Sequence, residues 1–132
     1  MRRLNSWEDV WDVLNEAFVH LAENLHGQLP QLTWQVGHLE TETFPFAGYI
    51  SFSREGVRGQ EDLVVSIGVQ CGNGRLEWTV DLSLGDGEVL ADGPSIDVQA
   101  GEPLHAWVVG PLQETLDFVP DSEMLAKEVL TG

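Results

Sequence analysis

A single cysteine, Cys71, stands in a chain of 132 residues, so no internal disulfide can form and no thiolate metal cluster is available. Basic residues are also scarce. Lysine and arginine number six against twenty-two aspartates and glutamates, a formal net charge of −16. Between Arg75 and Lys127 there is no lysine or arginine, while eleven acidic residues occur. Such a field repels the phosphates of bare nucleic acid and favours a basic partner. Long apolar runs are missing too. Nothing approaches the ~20 residues a membrane span needs, so no membrane partner is expected. Arg2 and Arg3 come early, but Glu8, Asp9 and Asp12 interrupt any apolar stretch behind them. No signal peptide and a cytoplasmic location are the expectation.

The chain does have apolar content: 42% of its residues are hydrophobic, and five are tryptophan. That is not the composition of a disordered acidic tail. The length suits one acidic domain over residues 1–132.

Residues 6–26 carry a helical pattern. Ser6 is an N-cap with Asp9 three residues on, an acidic form of the capping box. Trp7, Val10, Trp11, Leu14, Ala17, Phe18, Leu21 and Leu25 then form one apolar stripe, and Gly27 reads as the stop. Glu8, Asp12, Glu16, His20 and Glu23 lie off the stripe. From Leu32 the period becomes two: Leu32, Trp34 and Val36 alternate with polar residues. A turn-rich loop over 41–48 leads to Tyr49–Ser53. Two more alternating runs flank Asn73-Gly74, a strong hairpin signal.

Register follows by arithmetic. A turn at Asn73-Gly74 pairs Cys71 with Leu76, Val69 with Trp78, Ile67 with Val80 and Val65 with Leu82, apolar against apolar throughout. The preceding loop pairs Phe52 with Leu63, Ile50 with Val65 and Arg54 with Glu61. A turn at Asp86-Gly87 pairs Leu84 with Val89 and Leu82 with Ala91. A slip of one residue would turn a strand inside out, which makes the agreement informative. Ser95–Val98 either extends the meander or forms an edge. Helical spacing returns with Leu104, Trp107, Val108, Leu112 and Leu116; Gly110-Pro111 predicts a kink or split near Val109, and Pro120-Asp121-Ser122 a restart. The predicted fold is α+β: an N-terminal amphipathic helix, a four- to five-stranded antiparallel meander sheet and a C-terminal kinked or split helix. The helices pack on one face of the sheet.

No catalytic, cofactor or metal-binding residues are assigned. His20 shares a helix side with Glu16 and Glu23 but lacks the His–His spacing of zinc motifs. His26 suits the helix C-terminus. His38 and His105 have no evident partner, and Cys71 reads as a small buried thiol. Gly72-Asn73-Gly74 and Gly85-Asp86-Gly87 lack the P-loop lysine, and Asp86, Glu88, Asp92 and Asp97 lack an EF-hand pattern.

The chemistry points to surfaces instead. The polar sheet face would hold Ser51, Ser53, Ser66, Thr79 and Ser83, flanked by Tyr49, Glu77 and Asp81. Asp86 and Glu88 add charge at a turn, and Glu8, Asp12 and Glu16 charge the outer side of the first helix. The five tryptophans read as core, with Trp7 the exception, a partner anchor if exposed. A non-enzymatic protein that covers or escorts a basic protein partner is the leading expectation. Size, acidity and element order are loosely similar to immunity proteins, antitoxins and secretion chaperones, though no motif assigns a family. The alternatives are a nucleic-acid mimic, an enzyme or small-ligand domain with His38, His105 or Cys71 around a cavity, and a homodimer through the polar sheet face.

Overall fold

A computed structural model describes residues 3–39, 46–54, 63–72, 75–84, 87–99 and 103–131. Helix α1 (Trp7–Gln28) is followed by strands β1 (Leu32–Leu39), β2 (Phe46–Arg54), β3 (Leu63–Gly72), β4 (Arg75–Leu84) and β5 (Val89–Gln99), then by helices α2 (Leu104–Asp121) and α3 (Glu123–Thr131). The strands form one antiparallel sheet in the order β1-β2-β3-β4-β5.

Helix α1 starts as its sequence dictates: the Asp9 N–H donates to Ser6 Oγ, and Asp9 Oδ2 accepts from the Asn5 N–H at 2.8 Å. The carboxylate thus closes a capping box one residue earlier than usual. The helix does not stop at Gly27. It runs to Gln28, where the Leu29 N–H donates to the Leu25 carbonyl at 2.8 Å.

One sheet face is covered by the helices. Phe46, Ile50 and Phe52 of β2 and Trp78, Val80 and Leu82 of β4 are buried together with Val10, Leu14, Phe18 and Leu25 of α1 and Val108, Leu112 and Val119 of α2. Two strand glycines admit helix rings directly onto the backbone. A Cβ on Gly48 would lie 3.0 Å from Trp11 Cζ3, and one on Gly93 would lie 2.9 Å from Phe118 Cγ.

Register in β3–β4 and β2–β3 pairs Cys71 with Leu76, Val69 with Trp78, Phe52 with Leu63 and Ile50 with Val65, the pairing that binary patterning requires. The Arg54–Glu61 pairing lies outside the described residues. Phe46 to Gly48 belong to β2 rather than to a loop, because Phe46 and Gly48 are buried at Trp11.

Between β4 and β5 the expected Leu84–Val89 pair is replaced by Ser83–Val89. Gly87 takes φ 98°, the Leu84 N–H donates to the Glu88 carbonyl, and three residues separate Leu84 from Glu88. This is the three-residue hairpin in which the last residue is left-handed. A register shift then restores the Leu82–Ala91 pair. A second shift, between Thr79–Ser95 and Asp81–Asp92, absorbs Gly93 and Pro94 as a bulge, which is where a strand tolerates proline.

The C-terminal helix does not break at Gly110-Pro111. Pro111 lacks an N–H for the Trp107 carbonyl, yet α2 continues, because Val108, Pro111, Leu112 and Thr115 are all buried and their packing outweighs one lost bond. The break comes at Ser122, whose buried hydroxyl donates to the Val119 carbonyl at 2.6 Å.

Candidate functional site

The sheet face away from the helices carries most of the candidate residues. Along β2, Tyr49, Ser51 and Ser53 are half-buried; along β4, Glu77 is exposed, and Thr79, Asp81 and Ser83 are half-buried. Register sets Gly37, Tyr49, Ser66, Asp81 and Asp92 in one row across all five strands. Strands lie about 4.8 Å apart, so the row is crossed in roughly 19 Å. At its β1 end the Tyr49 ring lies across Gly37, where a Cβ would meet the ring at 2.7 Å. The ring covers bare backbone and flattens that part of the face.

At the other end the face is acidic. Asp81 stands opposite Asp92, and four residues along β4 Glu77 stands opposite Asp97. Like charges directly opposite on neighbouring strands are unfavourable. Glu88, exposed at the end of the hairpin, continues the line; Asp86 lies outside the described residues.

The α1 candidates do not join this face. Glu8, Asp12 and Glu16 are exposed on the helix layer. Trp7 is half-buried, its ring stacked on Phe46 at 5.4 Å and edge-on to Trp107 at 5.7 Å, so it works mainly as packing. The exposed tryptophan is Trp34, 37% accessible, which the alternation in β1 had placed in the core. It does face the helix layer, but β1 is an edge strand with cover from one side only. Its ring meets the His26 ring edge-on at 5.6 Å. The clue was the hairpin order, which puts the first strand of a meander at the rim.

The histidines do not converge. His38 is exposed and stacked on Trp11 at 4.7 Å. His105 accepts the Leu4 N–H on Nδ1 at 2.9 Å, tying the segment before α1 to the start of α2. His20 borders a cleft of about 240 Å³ between α1 and α2–α3, with Leu21, Leu116, Val119 and Pro120 as apolar lining and Asn24 and Glu123 as polar rim. Asn24 donates to Glu123 Oε1 at 3.1 Å across it. Among the described residues no three His, Cys, Asp or Glu side chains are grouped to hold a metal ion. The Cys71 side chain lies outside those described. No described helix is long and apolar enough to cross a membrane.

Asn15 was not singled out by the sequence. Its Oδ1 is buried with no hydrogen-bond donor among the described residues. A buried unsatisfied acceptor costs stability, so Asn15→Leu is expected to raise the unfolding free energy by about 1 kcal/mol. Urea midpoints of the two proteins check this, and a lower midpoint for the variant would show that the amide is satisfied.

Comparison with protein-family models, with curated proteins and with solved structures finds no match to this chain, so its function has to be argued from the surfaces themselves.

Proposed function

We propose that this protein binds a basic protein partner, covering or escorting it, and is not an enzyme. The observation that carries this reading is the acidic register on the sheet face away from the helices, where Asp81 opposes Asp92 and Glu77 opposes Asp97. Acidic residues at facing register positions concentrate negative potential on this side of the sheet, which lysines or arginines of a partner would meet favourably. The long-range field of a −16 chain adds speed of association with a basic surface. A cytoplasmic setting agrees with the lone cysteine.

The line of acids along β4–β5 also favours a second reading, a nucleic-acid mimic. Magnitudes favour the first. Successive carboxylate pairs are four residues, about 13 Å, apart along the strand. Duplex DNA carries about eight charges in the same length. A groove built for phosphate spacing would find most positions empty, whereas a protein's scattered lysines need no such density.

The test is affinity capture from the native host, with the wild type and the Glu77→Gln/Asp81→Asn/Asp92→Asn variant. A stoichiometric basic protein, released by high salt and held about tenfold less tightly by the variant, is the expected result. Failure to capture a protein, together with turnover of a small molecule, would overturn the reading.

A further inference from the structure

The two edges of the sheet are built differently. Strand β5 has the devices that stop a foreign strand from pairing: Asp92 and Asp97, Pro94, and two register shifts. Strand β1 has none of them. Its eight residues contain no Asp, Glu, Lys, Arg or Pro, and all eight pair with β2 without a bulge. No other described strand lies beyond it, so its outer row of backbone N–H and C=O groups is open to pairing. Trp34 and His38 stand exposed along the same strand.

Charge decides what that edge accepts. The His26–Trp34 contact shows which side of α1 looks towards β1. Glu8 lies eighteen residues before His26, five full helical turns, and so shares that side. Asp12 and Glu23 follow within about 60° of it, and all three acids are exposed. A second copy pairing antiparallel at this edge, about a two-fold axis normal to the sheet, would bring both α1 helices to the same side. Their acids would then face one another. A strand with lysine or arginine at alternate positions would instead place every cation on the helix side, under those carboxylates.

We propose that the β1 edge receives an extended, basic segment of a partner protein as a sixth strand, held by main-chain hydrogen bonds and selected by the acidic flank of α1. The inference rests on the reading that the partner is a basic protein, and it names the element through which that partner engages. Main-chain pairing supplies affinity, and the alternate side chains supply selection.

An eight-residue peptide alternating lysine and threonine tests it, beside an analogue of equal length and charge whose two central threonines are replaced by prolines. The first peptide is expected to bind and to slow amide hydrogen exchange in β1, and the proline peptide to bind about tenfold more weakly because it cannot complete the ladder. Glu8→Gln/Asp12→Asn/Glu23→Gln should weaken the first peptide about tenfold and remove most of its salt dependence. Trp34→Lys, a charge at the edge, should block it. If that variant misfolds, the comparison of the two peptides on the wild type still decides.

Equal binding of both peptides overturns the strand inference while leaving a basic partner in place. Absence of peptide binding does the same where capture still yields a basic protein. Protection of β1 that grows with protein concentration without any peptide would identify a second copy as the occupant, and overturns the proposal.

Discussion

Trp78→Ala is expected to lower the unfolding free energy by about 3–5 kcal/mol, a large share of the stability of a chain of this size. Trp78 is fully buried in the middle of β4, and it is the largest side chain wholly removed from solvent among the described residues. It does more than fill space. Its indole N–H donates to Thr115 Oγ1 at 2.9 Å, and that hydroxyl donates to the Pro111 carbonyl at 2.9 Å. One threonine thus satisfies a buried donor on the sheet while bonding within α2. Thr115→Val keeps the shape and removes the acceptor, leaving the indole N–H stranded at a cost of about 1–3 kcal/mol. With Trp78→Phe, which has no N–H to strand, the same threonine change should cost much less. A double-mutant cycle in urea, followed by far-UV circular dichroism, measures the coupling. Independent effects would mean that the bond contributes nothing.

Gly48→Val is the second large effect. Gly48 is buried in β2, and its missing side chain is where Trp11 rests. A Cβ there would be 3.0 Å from Cζ3 and 3.2 Å from Cε3 of the indole, and valine adds two further methyl groups. The ring is itself held by His38 at 4.7 Å and by Phe18 edge-on at 6.1 Å, so it cannot give way alone. Overpacking of this kind costs about 1–3 kcal/mol. Loss of the Trp11–His38 stack should also appear as a shift of the His38 ring protons in an NMR spectrum. Unchanged His38 signals in a folded variant would mean that Trp11 had not moved.

Much of this architecture was legible because binary patterning is a strong constraint. In β3 and β4 every pairing is fixed by the demand that Val69 meet Trp78 and Val65 meet Leu82, and nothing irregular intervenes. Readings failed where local chemistry and tertiary packing disagree. Of the kink or split expected at Gly110-Pro111, the split is absent there, because burial of Pro111 beside Leu112 and Thr115 carries α2 through; the helix divides instead at Ser122, where Pro120-Asp121-Ser122 predicted a restart. Gly27 is a plausible stop that the chain does not use. Val89 is out by one residue because a left-handed Gly87 selects a different hairpin from the one Asp-Gly suggests. Of the candidate surface, Tyr49, Ser66 and Asp81 do fall into one row, since strand alternation alone places them. The hairpin order places β1 at the rim, but how far Trp34 is exposed there could not be read, because that depends on where α1 lies.

The sequential order of the strands has a consequence for how the chain is made. Every strand pairs with its neighbour in sequence, so the meander needs only short loop closures and can assemble as it leaves the ribosome. Helices α2 and α3 follow the whole sheet in the chain, and they include the residues that cover Trp78 and Gly93. Until residues 104–131 emerge, part of a wide apolar face stands bare in a nascent chain. The acids already synthesised on α1 and β4 repel the like-charged acids of neighbouring nascent chains during the interval before α2 and α3 close over that face.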